Sequence, residues 1–290
     1  MHRILSTLLL LGTFSPLPTP VRAPVSFLPA VAPPFQTLSL SANGLSASGV
    51  LLIDLRSGQR LLKRDARTPR PIASLVKIMT ALLLIERGDP EAPVLIPAGV
   101  GAIDGTTIGL LEGKHYRARD LLAALLVGSG NDAAEALALH HSPSVADFVR
   151  AMNVRARVLG LRSTTFRNPS GLDALGQEST PEDLAWLTSY ALRFPLFREL
   201  VSSSSWRLTP LEGGTPILVV NTNQLLHTRS RAGQGVQING VKTGTTVKAG
   251  ECLISLADID GREVLLILLK SSQRYRDAQA LLRELSQILA

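Results

Sequence analysis

"RPIASLVKIMTALLLIERGDP", residues 70–90, carries both the architecture and the chemistry of this chain. From Ile72 to Arg87 it has the composition of a buried helix, with Pro69 and Pro71 at its start and Gly88 and Pro90 at its end. Between Ile72 and Ile85 the one charged residue is Lys77, three positions after Ser74. A lysine in an apolar wall is costly unless it is paired, neutral or working. Positions i and i+3 share a helix face, so the hydroxyl and the amine can meet. Burial disfavours the ammonium form, a neutral amine can accept the serine proton, and the dipole at a helix start favours an alkoxide. A lysine stem lying along apolar surface with its head in water explains the same residue without chemistry. S-x-x-K also arises by chance about once in a chain this long.

Working outward, "GVLLIDLRSGQRLLKRDA" upstream reads as two strands around a Ser57-Gly58 turn. Downstream, residues 119–127, 131–141, 144–159 and 181–193 favour helix, with Gly128, Gly130 and Gly160 as breaks. Strand patterns return at 217–220, 236–243, 251–258 and 262–270, with Asp260-Gly261 turning the last pair, and an amphipathic helix runs from about Gln273 to the end. Strands at both ends and helices in the middle predict an α/β (α+β) fold. One antiparallel sheet would be built from both chain ends, flanked by helices, with a helical lobe inserted. A site is expected in the cleft between sheet and lobe.

Two further stretches bear on that site. "GSGND", 128–132, interrupts two apolar helices. Asn131 and Asp132 suit a helix N-cap, while Ser129 could relay a proton and Asn131 could donate its amide to a substrate carbonyl. "GVKTGTT", 240–246, sits in a strand pattern. There Lys242 and Gly244 share one face and Thr243 the other. Gly244 lets a ligand backbone approach, and Lys242 adds a fixed positive charge. An exposed strand lysine before a turn glycine is the plain alternative. The three motifs in this order arise by accident in about one chain in a hundred, and they are the triplet of penicillin-recognising serine enzymes, with Ser-Gly-Asn for Ser-Asp-Asn.

On these residues, and on "NPSGLD" (168–173), "STPEDLA" (179–185) and "NTNQLL" (221–226), the chain resembles the low-molecular-weight penicillin-binding proteins, serine-type D-alanyl-D-alanine carboxypeptidases. The resemblance spans residues 45–290 and implies the transpeptidase/β-lactamase-like fold and an acyl-enzyme at Ser74. By motif position it makes Lys77 the activating base and Ser129 the relay to the leaving D-alanine. Asn131, Lys242, Thr243, Gly244 and Thr245 would bind substrate, with the backbone N–H groups of Ser74 and Thr245 as oxyanion hole. Arg274 resembles an arginine that receives the terminal carboxylate; a helix-start surface arginine is the other reading. The implied partners are peptidoglycan stem peptides ending in D-Ala-D-Ala and β-lactams as covalent inhibitors. No cofactor or metal is implied.

The first 23 residues have a basic start, an apolar run from Ile4 to Leu11 and Val21-Arg22-Ala23, the layout of a signal peptide cleaved after Ala23, with an uncleaved N-terminal anchor as the other reading. A proline-rich tail, 24–44, precedes the domain at 45–290. A periplasmic or secreted enzyme without a membrane anchor is expected. Dropping Arg3 and Arg22 lowers the formal charge from +7 to +5. That mild excess, with 4% aromatics, argues against nucleic acid. Cys252, the single cysteine, lies in an apolar alternating stretch and reads as a small buried hydrophobe. No H-E-x-x-H, G-x-S-x-G or phosphate-loop signature occurs. The remaining alternatives are a DD-endopeptidase cutting D-alanyl cross-links, a class A-like β-lactamase, and a non-catalytic peptidoglycan-binding protein. Against the lactamase, "FRNPSGLDALGQEST" follows the peptidase pattern where a deacylating glutamate loop would lie.

Overall fold

A computed structural model describes residues 40–227 and 235–289. The expected signal peptide and tail residues 24–39 lie outside the described residues. The chain enters through Leu40, which is buried, and Arg64 holds the entry by donating to the carbonyls of Leu45 at 3.1 Å and Ala47 at 2.9 Å.

The first hairpin is β1 (Gly49–Asp54) and β2 (Arg60–Arg64). Its turn is set by Asp54, whose Oδ1 accepts the backbone N–H groups of Arg56 and Ser57 at 2.8 and 2.7 Å. The stretch from Ile72 does not begin as an α-helix: Ala73–Val76 form one 3-10 turn, and α1 runs Lys77–Arg87. Gly88, left-handed at φ 87°, ends it. The lobe continues with β3 (Pro93–Leu95), β4 (His115–Arg117), α2 (Ala118–Leu126), α3 (Asn131–His141), α4 (Val145–Val158), α5 (Pro181–Ala191) and α6 (Pro195–Ser202). Then come β5 (Ser205–Leu208) and β6 (Ile217–Val220), followed by β7 (Val236–Thr246), β8 (Gly250–Ile259), β9 (Arg262–Ser271) and α7 (Arg274–Leu289).

The main sheet has the order β2-β1-β9-β8-β7, antiparallel throughout, so both chain ends build it as expected. One register row fixes the geometry: Leu51 pairs with Ile267, Ile267 with Ile254, and Ile254 with Lys242. Alternation along β1 sends Val50 and Leu52 towards α7 and Leu51 towards the helical lobe. A helix such as α7, of 16 residues, takes most of its stability from packing its apolar face. Its buried Leu281, Leu282 and Leu285, at about 1.5–3 kcal/mol each, hold it to the sheet.

The sequence pattern missed β3, β4, β5 and α6, and it misassigned one partner. Strand 217–220 exists, but it pairs with β5 in a separate two-stranded ribbon. Val219 of that ribbon packs at Gly128, where a Cβ would lie 3.2 Å from it, so the ribbon serves the lobe. Four-residue strands alternate too briefly to announce their partners. Cys252 is fully buried and burial pushes its thiol up to about 11, as suits a packing role.

Candidate active site

The 3-10 turn places Ser74 one turn before the buried stem of α1, and Lys77 Nζ lies 3.2 Å from Ser74 Oγ. Lys77 is wholly inaccessible to solvent. Its amine also donates to Asn131 Oδ1 at 2.7 Å and to the Ser170 carbonyl at 2.5 Å. Burial drives its pKa far below the ordinary lysine value, the charge of Lys242 adds to this, and Asp132 opposes it. A neutral amine has two N–H groups and one lone pair. Asn131 Oδ1 and the Ser170 carbonyl can only accept, so they take both N–H groups. In that neutral form the lone pair would be left for the Ser74 hydroxyl.

Backbone packing sets the serine. Ala73 adopts φ +49°, and Gly171, at φ +92°, lies so close that a Cβ there would sit 2.2 Å from the Ala73 oxygen and 2.8 Å from Ser74 N. From the sheet side Gly244 does the same, its virtual Cβ 2.8 Å from Ser74 N. Only glycine at both positions lets two backbones close on the serine.

Ser129 forms the break between α2 and α3 at φ +62°. Its Oγ accepts from Lys242 Nζ at 2.9 Å, and the same amine donates to the Thr243 carbonyl at 3.1 Å. Lys242 and Gly244 share a face of β7, as the alternation predicts. The expected fixed positive charge on Lys242 is corrected: burial, then the nearby Arg274, bring it down to about 7, so near neutral pH it is divided between charged and neutral forms.

Asn131 and Asp132 are not the N-cap of α3. That position is Gly130, without a side-chain cap bond. Asn131 instead bridges, accepting from Lys77 and donating its amide to the Asp104 carbonyl at 2.7 Å. Thr243 is almost fully buried, its hydroxyl 2.7 Å from that of Thr222. Thr245 is exposed on the rim. Arg274, first residue of α7, donates to the Gly244 carbonyl at 2.9 Å and the Thr245 hydroxyl at 2.7 Å. It is a mostly buried brace of β7, not a surface arginine.

All nine predicted residues therefore gather at the sheet–lobe boundary, in three linked groups: Ser74 with Lys77, Asn131 and Gly244; Ser129 with Lys242; Arg274 with Thr245, and Thr243 beside Lys242 on β7. The reading from residue types missed Ser170 and Gly171, which act through backbone, and Asp132 and Thr222, whose partners are distant in sequence. The "NPSGLD" block was the only signal for the first two. Among the described residues no group of three His, Cys, Asp or Glu could hold a metal, and no helix is long and apolar enough to cross a membrane.

The family profile of D-alanyl-D-alanine carboxypeptidases matches residues 36–273. The chain belongs to this family. D-alanyl-D-alanine carboxypeptidase DacB2 of Mycobacterium tuberculosis is 33% identical, over 76% of this chain and 73% of that protein. A D-alanyl-D-alanine endopeptidase of Pseudomonas aeruginosa is 30% identical, over 85% of this chain and 78% of its own length. The crystal structure of the Streptomyces K15 DD-transpeptidase superposes with a TM-score of 0.76 at 28% identity, covering 86% of this chain and 98% of the other. The family's fold and that of its penicillin-binding neighbours is the mixed α/β arrangement described above, and the family makes this chain a serine DD-carboxypeptidase-type hydrolase.

Proposed function

We propose that this chain trims peptidoglycan stem peptides by hydrolysing the terminal D-Ala-D-Ala bond through an acyl-enzyme on Ser74. The observation that carries the reading is Lys77, fully buried, held by Asn131 Oδ1 and the Ser170 carbonyl with its Nζ 3.2 Å from Ser74 Oγ. The Ser74 proton passes to Lys77 as Oγ attacks the penultimate D-alanine carbonyl. The developing oxyanion is held by the backbone N–H groups of Ser74 and Thr245; one such donor is worth about 2.7–4 kcal/mol. Ser129, under Lys242, gives its hydroxyl proton to the leaving amine of D-alanine and takes a proton from the Lys77 ammonium, which leaves Lys77 neutral again. Water then attacks the ester with Lys77 again as proton acceptor, and Ser74 is restored. Asn131 and Thr243 position the peptide, and Arg274 sets Thr245 beside its terminal carboxylate. β-Lactams acylate the same serine. The substrate sets the enzyme outside the cytoplasmic membrane, periplasmic or secreted, after removal of residues 1–23.

The test is release of free D-alanine from a muropeptide pentapeptide, with penicillin labelling in parallel. Ser74→Ala abolishes both; surviving activity removes the nucleophile. A second reading, cleavage of D-alanyl cross-links, is favoured by the endopeptidase name of the 30%-identical Pseudomonas relative. Mass analysis of products from monomers and cross-linked dimers separates the two. Rapid turnover of penicillin would support a lactamase instead, and neither labelling nor release would leave a binding protein.

A further inference from the structure

Residues 104–110 form a strap across the start of α3. The backbone N–H of Asn131 donates to the Thr106 carbonyl at 2.7 Å and its side-chain amide to the Asp104 carbonyl at 2.7 Å. The Ile108 side chain fills the space over the two glycines that flank Ser129; a Cβ on Gly128 or Gly130 would lie 2.6 or 2.5 Å from it. The remaining tie is Asp132. Its Oδ2 accepts the N–H groups of Ile108, Gly109 and Leu110 at 2.9, 3.0 and 3.2 Å, and its Oδ1 accepts that of Ala133 at 2.9 Å. This carboxylate is fully buried, and none of those donors is a cationic side chain. A buried carboxylate bonded only to backbone amides projects its charge into its surroundings. Lys77 lies within its field, and there its charge acts against that of Lys242.

We propose that Asp132 is a positioning residue of the reaction, fixing the strap that aligns Asn131 on Lys77 and supplying the negative charge that keeps the Lys77 amine a competent proton acceptor. The inference rests on the Ser74–Lys77 reading above. The titratable groups that feel this carboxylate are Lys77 on α1 and Tyr116 on β4; Glu135 follows one turn along α3, and Lys242 on β7 acts on the same Lys77 amine.

The experiment follows the rate of Ser74 acylation by a fluorescent penicillin from pH 5 to 9, with pentapeptide KM measured alongside. Asp132→Asn keeps an acceptor oxygen for the strap and removes the charge. Without that charge Lys77 gives up its proton at lower pH. The acid limb therefore moves to lower pH, and the plateau falls several-fold, because a weaker base drives the transfer less well. Ile108→Ala keeps the charge and loosens the strap, so KM rises several-fold while the acid limb stays in place. A folded Asp132→Asn protein whose acid limb coincides with that of the wild type overturns the charge role. If that variant does not fold, Ile108→Ala decides alone: a raised KM sustains the clamp and a wild-type KM overturns it. A wild-type protein that penicillin never labels would instead sink the Ser74 reading, so the two failures are distinct.

Discussion

Replacing Gly171 by alanine puts the packing behind the serine to a quantitative test. At φ +92° an L-residue pays about 1–2 kcal/mol. The added Cβ would also lie 2.2 Å from the Ala73 oxygen, 2.5 Å from its carbonyl carbon and 2.8 Å from Ser74 N. All three are backbone atoms, which cannot rotate away, so the chain must shift at about 1–3 kcal/mol. The total of about 2–5 kcal/mol corresponds to a fall in thermal midpoint of about 4–20 °C for a domain of this size. The shift falls on the residue preceding Ser74, and a displacement near 1 Å at a reacting group costs about a hundredfold in rate. Gly88→Ala is the control: its φ is +87°, but nothing lies within 4 Å of the new Cβ, so only the conformational part of about 1–2 kcal/mol remains. Thermal unfolding and penicillin acylation are measured on both. If Gly171→Ala loses no more stability than Gly88→Ala and acylates at the wild-type rate, the close backbone approach has no mechanical consequence and the reasoning is refuted.

Lys77→Arg lowers acylation by at least about a hundredfold, because guanidinium cannot become the neutral base; near-normal rates would end the proton-acceptor role. Lys242 makes stability depend on pH. Its pKa is about 7 in the folded chain and about 10.4 unfolded, so between these values the unfolded chain binds the extra proton and stability rises with pH. The gain is up to about 1.4 kcal/mol per pH unit, read as the urea midpoint at pH 7, 8 and 9. Lys242→Met should lower that slope, with Lys77 supplying what remains, and an unchanged slope would mean the Lys242 amine is not held neutral. Arg274→Ala removes the donor on the Gly244 carbonyl and the Thr245 hydroxyl, charged bonds worth about 1.5–3 kcal/mol each. Pentapeptide KM rises about tenfold or more, and wild-type kinetics would dismiss the brace.

The large elements were legible because their patterns are local and long. The β1–β2 turn, α3 with its bounds at Asn131–His141, and the Asp260-Gly261 hairpin all follow from residues within a few positions of one another. Ser74 and Lys77 were legible for the same reason, since a helical turn brings them together whatever the rest of the chain does. The β5–β6 ribbon was not, because a four-residue strand takes its partner from packing and not from alternation.

The residue types and their order therefore determined the helical lobe inserted in a terminal sheet, the serine, its amine and the Lys-Thr-Gly strand. Tertiary structure alone decided what state those groups are in. That Lys77 gives its hydrogens to Asn131 and to a carbonyl 93 residues away, that Lys242 stands near neutrality, and that Asp132 faces a strap instead of capping a helix, all depend on burial and on partners distant in sequence. Proton affinity is set by desolvation and by charges close in space, and neither exists until the chain has closed around them.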